Sequence, residues 1–440
     1  MTNDKIYVIR NPLIIAERIQ PSFSQFTLQY EGVSFPIFVN DTAAEILRLC
    51  DGTKRIDDIC MVLSIKYNEP VSEVEEKLLD FWKMAEEYRH IQFASEPSLH
   101  SQKIAIYGSH EYWTPDLLSV EITHKCPLRC KHCFLSAGSG ESMEMSTWKT
   151  IAKSIFAMHI PQVQLTGGEP LLHPEFFNML DDLLKNDVTV HVFTSGVVWS
   201  DELFDKFKSY TERKKKILFQ VSLDGLAEYH DAFRGVRGSF ERAIIFINSM
   251  VNLGYKTTVG ISITSQTFSE LEALCKLCKE IGVSVVRMGG ISNRGRAKEN
   301  GLGSKNDELI KISNIRFRIA EQLECDSFKV LLNEEANPEV TKYMINCGLG
   351  QTSLKIGPNG MVFPCMMSST AYANIKSNSL MEIQKKYSSL FEKIKAPSVQ
   401  ECAGCENQAI CDGCIVEGCA HSYCACKWIK NNIEILKILL

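Results

Sequence analysis

Three cysteines stand close together in the sequence Cys126-Pro-Leu-Arg-Cys130-Lys-His-Cys133. An apolar stretch that predicts a β-strand ends just before them, so we expect the cysteines on the loop that follows this strand. Thiolates at such spacing can hold an iron-sulfur cluster, and a four-iron cluster usually has four cysteine ligands. Three ligands leave one iron open to a substrate that chelates it. The loop therefore predicts a cluster that acts on a bound substrate.

Residues able to bind a polar ligand follow the next predicted strands. The second strand ends at Gly167-Gly168-Glu169-Pro170, where glycines allow close backbone approach and a carboxylate can accept hydrogen bonds from an ammonium group. Arg234 can grip a carboxylate in a bidentate fork, and Phe134 can stack on a flat ring or fill a core. The remaining candidates end the third and fourth strands: Ser195, Gly196, Ser222 and Asp224.

A second group of thiols lies near the C-terminus, where nine of the 17 cysteines fall between Cys347 and Cys426. Their order is Cys347, Cys365, Cys402, Cys405, Cys411, Cys414, Cys419, Cys424 and Cys426. Zinc ribbons do not use this many ligands at these spacings. A segment this short has little apolar core, so bound metal is expected to stabilise it.

The cysteine loop and the Gly167–Pro170 motif one strand later resemble the radical S-adenosylmethionine (SAM) superfamily, over about residues 117–288. The resemblance implies a [4Fe–4S] cluster on Cys126, Cys130 and Cys133. It also implies a SAM site formed by Gly167, Gly168, Glu169, Pro170, Ser195, Ser222, Asp224, Arg234 and Phe134.

The C-terminal cysteines resemble the SPASM domain of peptide-modifying radical SAM enzymes. The resemblance implies two auxiliary iron-sulfur clusters, one on Cys347, Cys365 and Cys414, the other on Cys402, Cys405, Cys411 and Cys426. Two residues rather than three separate Cys411 from Cys414, a variant that resembles thioether-forming maturases. The first auxiliary cluster has only three obvious ligands. Either its open iron binds a peptide cysteine, or Cys419 or Cys424 completes it, and the spacing leaves both alternatives open.

The N-terminal segment predicts short strands followed by three helices, a winged-helix pattern. Asn40 to Leu47 followed by Cys50-Asp51-Gly52 resembles the PqqD-like peptide-recognition element. The resemblance implies a precursor peptide whose leader is bound as an added edge strand. The third helix is rich in glutamate, which would repel the phosphates of nucleic acid.

Alternating strands and helices between these segments predict parallel crossover units. The pattern therefore predicts an α/β fold with a partial or complete β/α barrel. With the resemblances above, this implies a partial (β/α)6 radical SAM barrel with an N-terminal winged-helix-like domain and a C-terminal cysteine-rich SPASM domain. We expect the chemistry at the carboxyl ends of the strands. The predicted domains span residues 1–93, 115–330 and 345–430, with a linker over 94–114. The six predicted strands are 117–123, 162–165, 188–193, 217–222, 256–263 and 284–288.

Charge and hydropathy exclude other classes of partner. A formal net charge of −5 and a pI near 6.1 give no excess positive field for nucleic acid. No apolar run approaches the roughly 18 residues that a membrane span needs, and the N-terminus lacks a signal-peptide profile. We therefore expect no membrane association and a cytoplasmic enzyme.

Several conspicuous side chains are expected to have structural roles rather than catalytic or ligand-binding ones. Cys275 and Cys278 lie on an amphipathic helix and are expected to be buried, because a free cysteine behaves as a small hydrophobe; the same is expected of Cys50, Cys60 and Cys325. For His124, His132 and His173 we expect local packing or hydrogen bonds. Arg294 and Arg296 follow the sixth strand and could contact SAM or the peptide, but we expect them on an exposed loop.

Taken together, the three segments resemble the sactipeptide and related thioether-forming maturases. The resemblance implies that SAM is cleaved to a 5′-deoxyadenosyl radical that abstracts hydrogen from a peptide carbon, that a peptide cysteine sulfur bonds to this carbon, and that an auxiliary cluster accepts the surplus electron. An external reductant such as flavodoxin or ferredoxin is implied as well. The alternatives are a carbon-carbon crosslink, formylglycine formation, or a winged-helix redox regulator that carries clusters. Gly167 to Pro170 would have no role in a regulator.

Overall fold

The computed structural model describes residues 6–30, 33–98, 103–332, 346–405, 414–416 and 426–437. The chain forms two compact units, and the first gives way to the second between Thr114 and Pro115. Among the described residues, every helix is too short or too polar to cross a bilayer.

The first unit contains two small sheets and three helices. One sheet has the order β4-β3-β2-β7 and the other the order β5-β1-β6. The strands are β1 (Tyr7–Arg10), β2 (Ile14–Ile19), β3 (Ser24–Tyr30), β4 (Val33–Val39), β5 (Asp51–Arg55), β6 (Ile91–Ala94) and β7 (Ala105–Gly108). The helices are α1 (Asp41–Leu49), α2 (Ile56–Tyr67) and α3 (Val71–Glu87).

Helix α1 begins where the sequence predicts it. The side-chain oxygen of Asn40 accepts the Ala43 N–H at 2.8 Å, which satisfies one of the free donors of the first turn. Its buried face carries Ile46 and Leu47, which join one hydrophobic core with Ile59 of α2 and Trp82 of α3. Burial of these apolar faces holds the three helices together.

The linker predicted over 94–114 is corrected by the structure. Strand β7 (Ala105–Gly108) pairs in parallel with β2, and the Trp113 side chain is fully buried. The Thr114 N–H donates to Gln20 Oε1 at 2.9 Å, and Gln20 Nε2 donates to the Thr114 carbonyl at 2.8 Å. The segment is polar and its edge strand is short, so it lacks the periodicity that identifies longer strands.

The second unit is built on one large sheet with the order β15-β14-β13-β12-β11-β10-β8-β16-β17-β18, and β9 pairs with β8. Its strands are β8 (Leu117–Lys125), β9 (Ser139–Ser142), β10 (Gln162–Gly167), β11 (Thr189–Thr194), β12 (Ile217–Ser222), β13 (Lys256–Ser262), β14 (Val285–Gly289), β15 (Lys329–Leu332), β16 (Ser353–Ile356), β17 (Met361–Phe363) and β18 (Ala373–Asn374). Its helices are α4 (Met145–Ala157), α5 (Phe176–Lys185), α6 (Asp201–Lys208), α7 (Ala227–Arg234), α8 (Ser239–Asn252), α9 (Leu271–Glu280), α10 (Gly295–Glu299), α11 (Asn306–Leu323), α12 (Leu380–Phe391), α13 (Val399–Cys402) and α14 (Lys427–Leu436).

The six predicted strands are present and parallel, from β8 through β14 with β9 excepted. Every second residue of these strands is apolar and buried, as in Leu118, Val120 and Ile122 of β8. The intervening residues are mostly polar, such as Glu121 of β8 and Gln220 of β12. Because successive side chains of a strand point to opposite faces, the sheet has one apolar face and one largely polar face.

Two further parallel strands extend the sheet beyond the six that the sequence predicts. Strand β15 pairs with β14, and β16 pairs with β8. Strand β16 follows Cys347, so the C-terminal cysteine-rich segment contributes a strand to the sheet that carries the catalytic cysteine loop. Each of these strands has only four residues, too few for a periodic signal.

Candidate active site

The loop that bears Cys126, Cys130 and Cys133 leaves the carboxyl end of β8 and is held by backbone hydrogen bonds. The Cys126 N–H donates to the Gly138 carbonyl at 2.9 Å. The end of α7 accepts two more, from Arg129 N–H to the Arg234 carbonyl at 3.0 Å and from Lys131 N–H to the Phe233 carbonyl at 2.9 Å. The loop is therefore fixed by neighbouring elements as well as by its own strand.

The three thiols lie in one small apolar cluster around Leu128 and Val197. Cys133 Sγ accepts the Ala137 N–H at 3.4 Å, as a cluster-binding thiolate would. Burial raises the pKa of Cys126 to about 12 and also raises the pKa of Cys130, so metal binding would have to displace the thiol protons. Three thiols on one anchored loop suit a cluster with an open iron. No three histidine, cysteine or carboxylate side chains in the described residues converge on a single metal-ion position, and ligation by these cysteines stays a prediction.

Helix α10 also holds the cysteine loop, through hydrogen bonds from Arg296. Arg296 donates from Nε to the Cys130 carbonyl and from Nη1 to the Ala137 carbonyl, both at 2.8 Å. Its backbone N–H donates to the Cys133 carbonyl at 3.0 Å. At Gly295 a β-carbon would lie 2.3 Å from the Phe134 carbonyl oxygen, so only glycine permits this approach. The prediction that Arg296 lies on an exposed loop is wrong.

The two glycines of the Gly167-Gly168-Glu169-Pro170 motif are needed for packing within the chain. A β-carbon at Gly167 would lie 2.1 Å from the Thr123 carbonyl oxygen, and one at Gly168 would lie 2.4 Å from that of Lys125. The motif thus crosses directly beside the end of β8, next to the cysteine loop. Contact of the Gly167 and Gly168 backbone with SAM stays a prediction.

The Glu169 carboxylate is fully buried and accepts four hydrogen bonds from its own chain. Oε1 accepts from Leu171 N–H at 3.2 Å and from Thr194 Oγ1 at 2.7 Å. Oε2 accepts from the N–H and the hydroxyl of Ser195 at 2.8 and 2.5 Å. Burial raises the pKa of Glu169, and the Ser195 and Thr194 hydrogen bonds oppose that rise. The predicted ligand residues Glu169 and Ser195 therefore form one unit at the ends of β10 and β11.

Asp224 and Arg234, both predicted to contact SAM, bind each other. Arg234 Nε lies 2.8 Å from Asp224 Oδ2, and the pair is buried. Asp224 Oδ1 also accepts the Ser262 N–H at 3.0 Å, which ties it to the end of β13. Burial raises the pKa of Asp224, but the Arg234 guanidinium, His132, His230 and the Ser262 N–H together outweigh this effect, so the net pKa is lowered. Arg234 thus has a carboxylate partner within the chain, and its role toward the SAM carboxylate stays a prediction.

Ser222 and Phe134 are the last two predicted SAM contacts. Ser222 is the half-buried final residue of β12. Phe134 directly follows Cys133, and the cations of Lys355 and Arg294 lie 5.6 and 5.8 Å from its ring centroid. Neither placement tests the predicted contact with SAM.

The cysteines predicted for the first auxiliary cluster lie at the edge of the C-terminal hydrophobic core. Cys365 and Cys414 pack against this core, which contains Leu349 and Phe391. Cys347 is exposed and interacts electrostatically with Cys365. Burial raises the pKa of Cys365 to about 11.

For the second auxiliary cluster, Cys402 ends helix α13 and Cys405 follows it, with the Cys405 N–H bonded to the Cys402 carbonyl at 3.0 Å. Cys426 directly precedes α14, which contacts α13. Three of the four predicted ligands therefore lie where these two helices meet. Cys411, Cys419 and Cys424 lie outside the described residues.

The residues expected to be structural mostly are. Cys50, Cys60, Cys275 and Cys278 have no exposed surface. Cys325 contradicts the prediction, because it lies exposed in the turn before β15 and its pKa is lowered by a hydrogen bond with Ser327.

The three histidines make the local contacts that were expected. His124 bonds Glu121 at 3.1 Å, and His173 bonds the Met143 carbonyl at 2.9 Å. His132 stacks on Phe233 with ring centroids 4.5 Å apart.

Sequence reasoning missed a buried ion pair on the polar face of the sheet. Lys355 Nζ of β16 lies 3.4 Å from Glu121 Oε1 of β8 and donates to the Ser368 carbonyl at 2.9 Å. Arg294 was expected on an exposed loop, which is wrong: it is half-buried and donates to the carbonyls of Met367 and Val416. A charged residue inside an otherwise short apolar strand, as at Lys355, was the available signal.

Comparison with known families identifies three domains. The radical SAM superfamily profile matches residues 120–289. The profile of coenzyme PQQ synthesis protein D (PqqD) matches residues 30–91. The SPASM profile, an iron-sulfur cluster-binding domain, matches residues 347–406.

Two of the similar proteins described here align with about nine tenths of the chain, and a third aligns with about two thirds of it. The antilisterial bacteriocin subtilosin biosynthesis protein AlbA of Bacillus subtilis is 28% identical over 409 residues, covering 90% of this chain and 88% of AlbA. The sporulation killing factor maturation protein SkfB of the same organism is 24% identical and covers 65% of this chain and 68% of SkfB. Streptococcus suis SuiB, solved bound to the precursor peptide SuiA, shares the fold with a TM-score of 0.65 at 14% identity, covering 92% of this chain and 94% of SuiB.

The predicted fold class, with its three domains in this order, is thereby confirmed, together with the iron-sulfur clusters and SAM that these domains require. With its catalytic-type cysteine loop, its Gly-Gly-Glu-Pro motif and its cysteine-rich C-terminal segment, the chain is a radical SAM enzyme that carries a PqqD-like and a SPASM domain.

Proposed function

We propose that this enzyme matures a ribosomally synthesised peptide by joining a cysteine sulfur to a carbon of the same peptide. The observation that carries the proposal is the combination of all three domains on one chain that aligns over 88% of AlbA, a protein of bacteriocin biosynthesis. A domain for peptide capture has no use in a SAM enzyme with a small-molecule substrate.

The chemistry at the catalytic loop depends on a bound group. A reduced [4Fe–4S] cluster held by Cys126, Cys130 and Cys133 would supply the electron that cleaves SAM to methionine and a 5′-deoxyadenosyl radical. The chain's own residues fix where this takes place. Arg296 holds the carbonyls of the cysteine loop, and Gly168 brings the Glu169 turn against the end of β8.

The proposed reaction balances as a two-hydrogen oxidation of the peptide. One C–H and one S–H bond break and one C–S bond forms. A hydrogen atom leaves to the 5′-deoxyadenosyl radical, the thiol proton leaves to solvent, and one electron remains. We assign that electron to an auxiliary cluster, since the SPASM domain supplies the only other iron-sulfur groups that the matched domains imply.

The leader of the precursor peptide is proposed to add to the sheet of the first unit. Strand β4 (Val33–Val39) is an edge strand of the sheet β4-β3-β2-β7, and it lies inside the matched PqqD region. Its Phe35 side chain is 48% exposed, so it is available to a partner. Edge strands bind peptides through main-chain hydrogen bonds while exposed side chains set specificity. The reductant and the cytoplasmic location stay predictions.

Anaerobic coexpression with the candidate precursor peptide encoded beside the gene tests the proposed reaction by mass spectrometry. We expect loss of two hydrogens per crosslink and cysteines that no longer react with an alkylating reagent. The C126A variant is the control and should leave the peptide unchanged. Loss of two hydrogens with alkylatable cysteines would indicate a carbon-carbon crosslink, and a carbonyl-reactive product would indicate formylglycine.

The electron-acceptor role has its own test. Cys405→Ala should abolish crosslinking while SAM cleavage without peptide continues. A C405A enzyme that folds, binds SAM and crosslinks at the normal rate would contradict it.

A further inference from the structure

Arg294 connects the catalytic cysteine loop to two loops of the SPASM domain. Its Nη1 donates to the Met367 carbonyl at 2.5 Å and its Nη2 to the Val416 carbonyl at 3.2 Å. Its guanidinium carbon also lies 5.8 Å from the ring centroid of Phe134, the residue after Cys133. One half-buried side chain therefore contacts three separate loops.

The two carbonyl acceptors have a shared relation to the cysteines. Met367 lies two residues after Cys365, and Val416 lies two residues after Cys414. These two cysteines pack against the same hydrophobic core and are predicted to hold the first auxiliary cluster. Arg294 thus reaches the loops of two ligands of one cluster with a single rigid fork, as guanidinium geometry allows and a lysine would not.

Lys355 makes a parallel connection. Its Nζ lies 5.6 Å from the Phe134 ring centroid and donates to the Ser368 carbonyl at 2.9 Å, three residues beyond Cys365. Glu121 lies 3.4 Å from Nζ and balances the charge of Lys355. Phe134 is consequently held by cations that also hold the Cys365 loop.

We propose that Arg294 is a positioning residue that couples the catalytic cysteine loop to the first auxiliary cluster, and that its charge raises the reduction potential of that cluster. Thiolate-ligated clusters gain negative charge on reduction, so a cation beside their ligand loops stabilises the reduced form. Removing a unit charge from a partly buried site near the cluster changes the reduction equilibrium by about tenfold. The inference rests on the auxiliary cluster of the proposed function and on the ligands that the SPASM resemblance implies for it, namely Cys347, Cys365 and Cys414.

The test compares anaerobically prepared holoenzymes carrying Arg294→Gln, Arg294→Lys or Arg242→Gln with the wild type. Arg242 is an exposed arginine of helix α8 and serves as the matched control. Iron and sulfide content, the electron paramagnetic resonance signal of each cluster and its midpoint potential are measured without peptide. Cleavage of SAM without peptide is measured in the same samples.

In R294Q we expect the potential of the first auxiliary cluster to fall by about 59 mV, the equivalent of a tenfold change for one electron. R294K should recover most of the potential because it keeps the charge, but should lose iron from the auxiliary site faster because it cannot bind both carbonyls. R242Q should match the wild type in every measurement.

An R294Q enzyme with full iron content and an unchanged auxiliary potential would overturn the proposal. Selective loss of the first auxiliary cluster from R294Q would support it, since the two loops would then have lost their common anchor. Because these measurements need no peptide, they are independent of the thioether assignment. A wild-type enzyme that cleaves SAM but never alters a peptide cysteine would contradict only the proposed function.

Discussion

The guanidinium of Arg234 lies 2.8 Å from the carboxylate of Asp224 in a buried ion pair that joins helix α7 to the end of β12. The backbone carbonyl of Arg234 accepts a hydrogen bond from Arg129 of the cysteine loop, so the same residue supports two parts of the site. Removing one partner of such a pair leaves an uncompensated buried charge.

We expect Asp224→Asn to lower the free energy of unfolding by about 3–5 kcal/mol. Arg234→Met should lower it as well, and the double variant should lose less than the sum because neither charge remains. Urea unfolding of the three variants measures this. If D224N keeps its stability and loses only SAM binding, Asp224 acts on the ligand instead.

Replacing Arg296 should weaken the retention of the catalytic cluster. Arg296→Met removes two hydrogen bonds to carbonyls of the cysteine loop while keeping the apolar stem, and the loop should become more mobile. We expect catalytic-cluster iron to be lost to a chelator several-fold faster. Lys298→Met, on the exposed face of the same helix, is the control. Equal rates for both variants would show that α10 does not hold the loop.

Asp231 stabilises the start of helix α8. Its carboxylate accepts the Phe240 N–H and the Ser239 hydroxyl, both at 2.9 Å, as well as the Gly238 N–H. Burial is the largest single effect and raises the pKa of Asp231, but the three hydrogen bonds and His230 together outweigh it and the net pKa is lowered. Because the pKa of Asp231 is lower in the folded state, its full stabilising effect is present above the unfolded-state pKa of about 3.9. This effect is lost as the pH falls through the folded-state pKa.

Asp231→Ala should therefore lower the free energy of unfolding by about 0.5–2 kcal/mol. Urea unfolding at about pH 8 and about pH 5 should give the same difference from the wild type, because both lie above the unfolded pKa. A difference that shrinks by half between these two conditions would contradict the ionised cap.

Cys325 should be the most reactive thiol outside the cluster-binding loops of the described chain. It is exposed and its pKa is lowered, whereas burial raises the pKa of Cys275 to about 12. Brief alkylation of the holoenzyme at about pH 8 should modify Cys325 at least tenfold faster than Cys275, as peptide mapping would measure. Similar modification of both would show that helix α9 opens under these conditions.

The sequence predicted the fold where its signals were long or chemically specific. The parallel strands from β8 to β14 alternate apolar and polar residues over five or more positions, and Asn40 begins α1 with its side-chain cap. The short strands β7, β15 and β16 were missed because four residues do not establish a period, and their partners are distant in sequence.

The sequence suggested candidate residues for the site but did not indicate how they pair with one another. Positions at strand ends and the resemblance to the radical SAM superfamily pointed to Glu169, Asp224 and Arg234, whose roles toward SAM stay predictions. Nothing local in the sequence shows that Asp224 and Arg234 bind each other or that Glu169 is surrounded by donors of its own chain. Arg294 and Arg296 were misjudged for the same reason: their acceptors are main-chain carbonyls far along the chain. Such contacts depend on the tertiary structure, and the spacing of residues along the sequence does not indicate them.

The parallel pairing of β16 with β8 also orders events during synthesis. Strand β8 emerges from the ribosome early, but the neighbour that completes its second edge is translated only near the end. Strand β9 pairs with the end of β8 beside Cys126, so until β16 is made only the first part of β8, residues 117–120, has unpaired backbone groups along this side. The sheet below the cysteine loop should accordingly be completed only after the cysteine-rich segment has begun to emerge.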